Sequence, residues 1–572
     1  MNTHLVVNNE PWLKQYPENV HWNAPLETMP LGAFFDKAME KFRERPGVDF
    51  LGKKYTHGEI EKLTNQFAKG MQNIGVKKGT KVGLCLPNTP YSIICYFGAL
   101  KAGATIVNFN PLYVERELAY QINDSETEIM VTIDLDLIYP KVKAMLGRTS
   151  LKKIIICKMS EALPGFKSLM LKTLKSKHVS KISADAKNIP FGQITKNDGN
   201  YQNINIDPKT DIAVLQYTGG TSGTPKGAML THANITASVA QILAYTEPMQ
   251  LLIGGEEKLI GLLPFFHVFA MNAVMNLGIA IGAEIILLPR FDVDLTLKSI
   301  HRTKATVLAA VPTIYTALNT AHNLSKYDLS SLKYCNSGGA PLPEEVHSQF
   351  KALTGSEILE GYGLSETAAL ASCMPPNGPD KPGSIGIPVA GTIMDIRDPD
   401  NIETVLLQGE KGEICVRGPQ VMKGYWRRSE ESRQACKNGL LRTGDIGYMD
   451  ADGYFFIVDR IKDLILCSGY NVYPRVIEEA IYLHPFVEEV SVIGIADKYR
   501  GQSPKAFVKL HAGKTLQDTE LKDFLKDKLS KIEMPAQIEF RSELPKTLIG
   551  KLSKKELVAD EKAKLQMQDI KD

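Results

Sequence analysis

The sequence predicts an α/β fold with a large N-terminal domain of α/β sheets plus a β-rich subdomain, and a small α+β C-terminal domain. Three observations lead to this prediction. The chain has 572 residues, more than one ordinary domain contains. Short aliphatic runs alternate with helix-like stretches through the first three-quarters, which is typical of largely parallel sheets. After about residue 380, turns such as Asp452-Gly453 separate short alternating strands.

The predicted elements of the first part are strands rich in aliphatic residues and one buried helix. The helix covers Tyr91–Lys101, and the strands cover Lys81–Leu86, Ala104–Asn108, Ile212–Gln216, Glu284–Leu288 and Ala305–Val311. A second helix is predicted for Thr231–Tyr245. These elements belong to a large domain at residues 1–459, and its last part, about 380–459, forms the β-rich subdomain.

The C-terminal domain is expected at residues 460–572. It combines helices at Arg475–Leu483 and Leu521–Lys531 with strands at Val487–Ile493 and Lys505–Leu510. In the β-rich subdomain before it, strands are predicted at Gly412–Val416 and Gly453–Val458.

Composition favours a soluble globular protein in a reducing compartment. Hydrophobic residues make up 44% and charged residues 23%, and the net charge of +3 does not indicate nucleic-acid binding. The eight cysteines form no CxxC pair and no zinc-spaced cluster with histidine, so a structural metal is not expected. The N-terminus has no basic region followed by an apolar stretch, and we expect a cytoplasmic protein.

Two segments raise the question of a membrane. Residues Gly261–Ala283 contain no charged residue and are long enough to span a bilayer. They also contain Pro264 and two asparagines, so a buried helix followed by a strand is the favoured interpretation. Residues 141–190 carry twelve Lys and Arg against two acidic residues. Their apolar positions Phe166, Leu169, Met170 and Leu174 follow helical spacing, which fits either a helix on an anionic membrane surface or a solvated insertion.

The clearest chemical signal is a loop rich in glycine and hydroxyl side chains after the strand Ile212–Gln216. Its glycines allow backbone N–H groups to turn toward an anion, its hydroxyls add donors and Lys226 adds a positive charge. The loop lacks the GxxxxGK[ST] order, which disfavours a kinase or a P-loop ATPase. The candidate phosphate-binding residues are Thr218, Gly219, Gly220, Thr221, Ser222, Gly223, Thr224 and Lys226.

Tyr217–Gly227 resembles the phosphate-binding signature of the adenylate-forming superfamily, which includes acyl-CoA synthetases, luciferases and peptide-synthetase adenylation domains. Further motifs of that superfamily follow in order over nearly the whole chain. Gly361–Thr367 resembles its second signature, which implies that Tyr362 packs on adenine and that Glu366 and Thr218 contact Mg²⁺. The resemblance further implies that Gly361, Gly363, Ser365, Gly339, Ala340 and Pro341 line the nucleotide site.

The C-terminal motifs imply further roles. Asp445 and Arg460 resemble the ribose-binding pair, and a carboxylate can accept hydrogen bonds from both ribose hydroxyls. Lys462 resembles the hinge about which the small domain rotates. Gly469 falls in a loop that approaches the CoA arm after rotation, and Lys551 resembles the lysine that reaches the α-phosphate and the acyl carboxylate.

The implied reaction has two steps. The carboxylate attacks the α-phosphorus of ATP while Lys551, Lys226 and Mg²⁺ offset the charge, and no strong base is needed because the carboxylate is already ionised. The small domain then rotates and a thiol displaces AMP. His267, in a motif that lines the acyl site of the family, either orients the carboxylate or is a core histidine.

Within the superfamily, the likeness is strongest to bacterial long-chain fatty-acid–CoA ligases. It is carried by stretches including Asn108–Tyr113 and Gly418–Trp426, and the expected partners are a fatty acid, ATP and coenzyme A. Met271 occupies the place where some relatives have a gating tryptophan. A medium-chain or aryl-acid CoA ligase, an acyl-AMP ligase with a carrier-protein acceptor, and a non-catalytic lipid-binding protein remain alternatives. A homodimer and peripheral membrane contact through residues 141–190 also stay open.

Overall fold

The structure is a computed structural model that describes residues 10–173, 178–218, 224–376, 378–379, 381–467, 470–497, 499–547 and 551–569. Its strands, in chain order, are β1 (Pro46–Phe50), β2 (Lys53–Thr56), β3 (Lys81–Cys85), β4 (Thr105–Asn108), β5 (Ile129–Ile133), β6 (Lys153–Cys157), β7 (Asn188–Pro190), β8 (Ile212–Thr218), β9 (Lys226–Thr231), β10 (Lys258–Gly261), β11 (Glu284–Leu287), β12 (Val307–Ala310), β13 (Tyr334–Gly338), β14 (Ile358–Tyr362), β15 (Ser372–Cys373), β16 (Ser384–Pro388), β17 (Ile393–Arg397), β18 (Gly412–Arg417), β19 (Cys436–Lys437), β20 (Leu440–Met449), β21 (Phe455–Arg460), β22 (Ile465–Cys467), β23 (Tyr470–Val472), β24 (Val487–Asp497), β25 (Gly501–Leu510) and β26 (Gln537–Phe540).

The α-helices are α1 (Leu31–Phe42), α2 (His57–Asn73), α3 (Pro90–Lys101), α4 (Glu115–Ser125), α5 (Tyr139–Lys143), α6 (Met159–Ala162), α7 (Gly165–Thr173), α8 (Phe191–Ile194), α9 (His232–Thr246), α10 (Val268–Ala270), α11 (Leu277–Ala280), α12 (Val293–Thr303), α13 (Pro312–Asn319), α14 (Glu344–Thr354), α15 (Ser429–Ala435), α16 (Pro474–Tyr482), α17 (Asp518–Leu525) and α18 (Lys554–Asp569). Local sequence explains where several begin. Thr56 and Glu59 form a capping box at the start of α2, and Pro90 takes the first turn of α3, where its missing N–H costs nothing.

Two compact units make up the chain. The first contains the described residues up to 218 together with Pro225–Ile393 and Val416–Leu441. The second contains Thr224, Met394–Cys415 and the described residues from Arg442 onward. The mixed α/β architecture confirms the predicted fold class. The predicted boundary at 459/460 stays a prediction.

The first unit is built around two sheets. One has the strand order β16-β15-β14-β13-β12-β10-β11-β1-β2, and the other has the order β7-β6-β5-β3-β4-β8-β9. The central strands are parallel and buried on both faces, as their aliphatic runs predict. The carboxyl ends of these parallel strands therefore carry the loops that can hold a ligand.

The second unit is smaller and contains β-structure followed by an α+β region. Strands β17, β18, β20 and β21 are neighbours, and β23-β22-β25-β24 form a further sheet to which β26 adds in parallel with β25. Helices α16 and α17 contribute Ile477, Ile481 and Leu521 to the core of this sheet. The predicted helix Leu521–Lys531 is wrong in its extent, because α17 ends at Leu525 and the following residues form turns.

The uncharged segment Gly261–Ala283 lies buried in the first unit, as its favoured interpretation predicted. It forms α10, a π-helix at Met271–Asn276 and α11, and strand β11 follows. Hydrogen bonds satisfy its buried asparagine donors: Asn276 Nδ2 donates to Asn272 Oδ1 (2.8 Å), and Asn272 Nδ2 donates to the carbonyl of Ala368 (2.8 Å). In the described part of the chain, no helix has the length and apolar character needed to cross a membrane.

Candidate active site

The predicted phosphate loop connects two antiparallel strands of the first unit. Strand β8 ends at Thr218, β9 begins at Lys226, and these two residues are register partners. The predicted helix follows only after β9, since α9 begins at His232 with Thr231 as its cap. The predicted helix Thr231–Tyr245 is thus confirmed within one residue, and the short strand β9 between the loop and this helix was not predicted. Thr224 is exposed, and Gly219, Gly220, Thr221, Ser222 and Gly223 lie outside the described residues.

A hydrogen-bonded network holds both ends of this loop. Tyr217 donates from its hydroxyl to Asp124 Oδ2 (2.6 Å), and Arg428 Nη2 lies 2.5 Å from the other carboxylate oxygen. The hydroxyl of Tyr120 donates to the carbonyl of Pro225 (2.9 Å), just before Lys226. Burial and the negative charge of Asp124 raise the pKa of Tyr217, so it stays a donor at neutral pH. The sequence carried no signal for Asp124, which lies 93 residues from Tyr217.

The structure brings both Lys226 and Glu366 to one tyrosine, Tyr425. The Tyr425 hydroxyl donates to Glu366 Oε1 (2.7 Å), and Lys226 Nζ lies 5.4 Å from the centroid of the Tyr425 ring. Thr218 lies beside Lys226, with its hydroxyl 3.5 Å from the Lys226 carbonyl oxygen. Three of the predicted residues thus lie near each other. Sequence reasoning missed Tyr425, although it quoted the stretch Gly418–Trp426 that contains it.

The residues around Glu366 fit a hard divalent cation that also binds phosphates. A carboxylate with one oxygen held by Tyr425, and a hydroxyl at Thr218, are oxygen donors of the type that Mg²⁺ prefers. In the ranges that the structure describes, no group of three or more His, Cys, Asp or Glu residues could hold a metal alone. An Mg²⁺ ion here would need oxygen ligands from the nucleotide, and this is how the ion binds in most phosphate-transfer sites.

The predicted adenine-binding residues lie at the carboxyl ends of two adjacent parallel strands. Gly338 at the end of β13 is the register partner of Gly361 on β14. Gly339, Ala340 and Pro341 follow β13, and the backbone N–H of Leu342 then donates to Glu360 Oε2 (3.1 Å), which ties this turn to β14. Tyr362 is buried at the end of β14, and Ser365 lies in the single 3-10 turn that carries Glu366.

Gly363 has no room for a side chain. A Cβ atom built at this position would lie 2.0 Å from the carbonyl oxygen of Ala369. The chain therefore folds back on itself between residues 363 and 369, and Glu366 lies on this tight turn. The glycine is required by the close approach of the backbone, because its φ is not in the left-handed region.

His267 lies half-buried at the start of α10. Its Nδ1 accepts a hydrogen bond from the backbone N–H of Phe269 (3.3 Å), so one ring nitrogen caps this short helix. The neighbouring carbonyl of Phe266 accepts from Gln216 Nε2 (2.9 Å) on β8, and Asn108 Nδ2 contacts both Gln216 Oε1 (3.0 Å) and Met271 Sδ (3.4 Å). The phosphate-loop strand and the predicted acyl segment therefore share one polar network.

In the second unit, Asp445 and Arg460 are register partners on β20 and β21. Arg460 Nε lies 3.0 Å from Asp445 Oδ1, and the carboxylate is buried while the guanidinium is half-exposed. The preceding turn is fixed by Glu413, whose Oε1 accepts from the backbone N–H of Gly444 (3.0 Å) and whose Oε2 pairs with Arg442 (2.6 Å).

Lys551 lies in the same unit, next to an antiparallel bridge between Lys546 and Leu552. Its backbone N–H donates to Thr547 Oγ1 (3.1 Å), and its carbonyl accepts from the backbone N–H of Thr547 (2.6 Å). Burial, and then the positive charge of Arg460, lower the pKa of Lys551 to about 8, while Asp445 acts in the opposite direction. The structure thus brings Lys551, Arg460 and Asp445 close enough to interact.

Lys462 lies on the 3-10 turn Ile461–Asp463, directly after β21. The preceding Asp459 is buried, and its carboxylate accepts from the backbone N–H groups of Arg460 (2.7 Å) and Arg475 (2.8 Å). Burial raises the pKa of Asp459. Gly469, the remaining predicted residue, lies outside the described residues. The roles of all these residues stay predictions.

Comparisons with known proteins identify the family. The profile described as "AMP-binding enzyme" matches residues 35–426, and "AMP-binding enzyme C-terminal domain" matches residues 476–551. A long-chain-fatty-acid–CoA ligase of Bacillus subtilis is 41% identical over 97% of this chain and 98% of its own length. One of Escherichia coli O157:H7 is 35% identical over 97% of this chain and 99% of its own length.

A solved structure extends the comparison to the fold. The anthranilate CoA ligase AuaEII in complex with anthranoyl-AMP is 25% identical, with a TM-score of 0.82 over 95% of this chain and 99% of its own. The first profile alone spans more than half of the chain. The chain therefore belongs to the family of AMP-binding enzymes.

Proposed function

We propose that this chain is a long-chain fatty-acid–CoA ligase, which adenylates the acid with ATP and transfers the acyl group to coenzyme A with release of AMP. The similarity that carries the proposal is the 41% identity to the Bacillus subtilis long-chain-fatty-acid–CoA ligase over nearly the full length of both chains. The clustering of Thr218, Lys226 and Glu366 supports the ATP site.

The first step joins two negatively charged reactants. The fatty-acid carboxylate attacks the α-phosphorus of ATP, the bond to the bridging oxygen breaks, and pyrophosphate leaves. Lys226 and Lys551 are proposed to offset the charge that develops on the phosphate oxygens. Mg²⁺ held by Glu366 and Thr218 would supply further positive charge at the phosphates. Asp445 and Arg460 are proposed to bind the ribose, and His267 to orient the carboxylate.

The second step forms the thioester. The sulfur of CoA attacks the acyl carbon, and AMP leaves with the electron pair of the acyl–oxygen bond. We propose that residues 460–572 rotate about Lys462 between the steps, so that Lys551 leaves and Gly469 approaches the CoA arm. A different set of contacts can then serve each half-reaction.

The test is a substrate panel from acetate to oleate, with an aryl acid, in the presence of Mg-ATP. Pyrophosphate and AMP release are measured with and without CoA, and acyl-CoA is identified by mass spectrometry. We expect CoA-dependent product that peaks with long chains and is nearly lost in Lys551→Ala. Highest activity with a medium-chain or aryl acid would still support the two-step mechanism but would refute the proposed preference for long-chain acids. Acyl-AMP without thioester would favour a carrier-protein acceptor.

Peripheral contact with an anionic membrane is a second part of the proposal. Five large apolar side chains are exposed in the segments that follow β4, β5 and β6: Leu112 (48%), Val114 (58%), Leu137 (66%), Phe166 (76%) and Leu169 (60%). Because these strands belong to one parallel array, their carboxyl ends lie at the same sheet edge. The excess of positive charge in residues 141–190 fits anionic lipid. All eight cysteines are free thiols, which suits the cytoplasmic side of the membrane.

Vesicle sedimentation tests this contact. We expect the protein to bind phosphatidylglycerol vesicles more than phosphatidylcholine vesicles, and Phe166→Ser with Leu169→Ser to reduce the binding. Leu407→Ser is the matched control, because Leu407 is 76% exposed and lies in the second unit. Equal binding by the double variant and the control would refute this surface as the contact.

A further inference from the structure

Tyr425 lies on a short extended stretch that runs beside β9 in the first unit. The backbone N–H of Met229 donates to the carbonyl of Gly424 (2.8 Å), and the N–H of Trp426 donates to the carbonyl of Gly227 (2.8 Å). Ala228 and Tyr425 form the bridge between the two segments. The main chain at Tyr425 is therefore held against the strand that begins with Lys226.

The same stretch also holds the segment that carries Glu366. The backbone N–H of Met422 donates to the Glu366 carbonyl (2.8 Å), and the Tyr425 hydroxyl donates to Glu366 Oε1 (2.7 Å). The backbone N–H of Tyr425 itself donates to Oγ of Ser432 (2.8 Å), a residue of α15. Both the main chain and the side chain of Glu366 thus depend on residues 422–425.

We propose that Tyr425 is a positioning residue for the ATP–metal site, whose hydroxyl holds Glu366 Oε1 so that Oε2 is directed to the cation, while its ring face holds the ammonium group of Lys226. The inference rests on the proposed function for the identity of the nucleotide. It assigns two separable tasks to one side chain, since the hydroxyl serves the carboxylate and the ring serves the lysine. It also explains how Lys226 and Glu366, which are 140 positions apart in the sequence, keep a fixed position relative to each other.

The chemistry of the Tyr425 hydroxyl supports this arrangement. Its O–H group donates to Glu366 Oε1 (2.7 Å), and a carboxylate can only accept. A neutral phenol can only donate to the carboxylate and does not compete with it for the cation. A hydrogen bond to a charged acceptor is among the stronger ones in proteins, so its removal should be measurable.

The experiment compares ATP binding by calorimetry, with and without Mg²⁺, for the full-length protein, Tyr425→Phe and Tyr425→Leu. The ratio of the two ATP dissociation constants measures how strongly Mg²⁺ and ATP assist each other. In Tyr425→Phe, we expect this ratio to fall about tenfold while metal-free ATP binding stays unchanged, because the ring remains beside Lys226. In Tyr425→Leu, metal-free binding should weaken as well.

Tyr139→Phe is the matched control, because Tyr139 is also a buried tyrosine of the first unit whose hydroxyl donates to a side chain, Asn188 Oδ1 (3.2 Å). It should bind ATP and Mg²⁺ as the wild type does. Circular dichroism during heating shows whether each variant is folded.

Two outcomes would overturn the inference: a wild-type ratio in Tyr425→Phe, or an equal loss of ATP binding with and without Mg²⁺. The second outcome would mean a purely structural role. Acyl-CoA formation by the wild type is measured separately, so its absence refutes the proposed function, whereas the inference on Tyr425 is judged from ATP binding alone.

Discussion

Replacing Gly363 by alanine should damage adenylation through a displacement that can be worked out from the structure. The new Cβ would lie 2.0 Å from the Ala369 carbonyl oxygen and 2.4 Å from its carbonyl carbon. A carbon and a carbonyl oxygen need about 3.3 Å, so the two backbone segments must separate by about 1.3 Å. Neither contact can be relieved by rotation of a side chain. Glu366 lies between these two segments, so the displacement moves its carboxylate relative to Tyr425.

A misplacement of about 1 Å costs about 100-fold in rate, or about 2.7 kcal/mol in the activation barrier. Strain from overpacking should also lower the free energy of unfolding by about 1–3 kcal/mol. The assay is pyrophosphate release in a single turnover, and heating measures the stability. Gly192→Ala is the control, since nothing lies within 4 Å of a Cβ built there. A Gly363→Ala rate within about twofold of wild type would refute the reasoning.

Three further predictions concern charge. The adenylation rate should fall as pH rises through about 8, because Lys551 then loses its charge. Lys551→Arg should keep a constant rate to higher pH, and identical pH–rate profiles for the two proteins would contradict this. Arg460→Gln removes a positive charge near Lys551 and should move the fall in adenylation rate to higher pH, whereas Asp445→Asn removes a negative charge and should move it to lower pH. An unchanged pH–rate profile in stopped-flow assays would exclude an electrostatic interaction of these residues with Lys551. Asp124→Asn leaves the partly exposed Arg428 without its carboxylate and should lower the free energy of unfolding of the first unit by about 1 kcal/mol, measured as a lower thermal midpoint; an unchanged melting curve would disprove this.

The sequence predicted the buried elements well because aliphatic runs and burial are local properties. Predicted helix Tyr91–Lys101 corresponds to Pro90–Lys101, and predicted strand Lys81–Leu86 corresponds to Lys81–Cys85. Strand β9 was missed because its first residues, Lys226 and Gly227, belong to the glycine-rich motif and carry no β-propensity. Only pairing with β8 reveals it as a strand.

The candidate site was predicted in part, for a similar reason. Motifs identified Glu366 and Lys226, whereas Tyr425 and Asp124 act through contacts between distant parts of the chain. Tyr425 lies within the motif stretch Gly418–Trp426, but nothing local to it indicates a contact with Glu366, and no local pattern marks Asp124. The helical spacing of Phe166 and Leu169 agrees with α7, Leu174 lies outside the described residues, and the choice between a membrane-surface helix and a solvated insertion stays open.

The π-helix at Met271–Asn276 has a consequence for how this family can diversify. A π-turn contains one residue more than an α-turn, so deleting a single residue within it would restore a continuous α-helix. Side chains on one side of the deletion would then rotate by about 100° relative to those on the other. The set of side chains that the segment beginning at His267 presents to its surroundings could therefore change through one deletion, while strands β10 and β11 on either side keep their pairing.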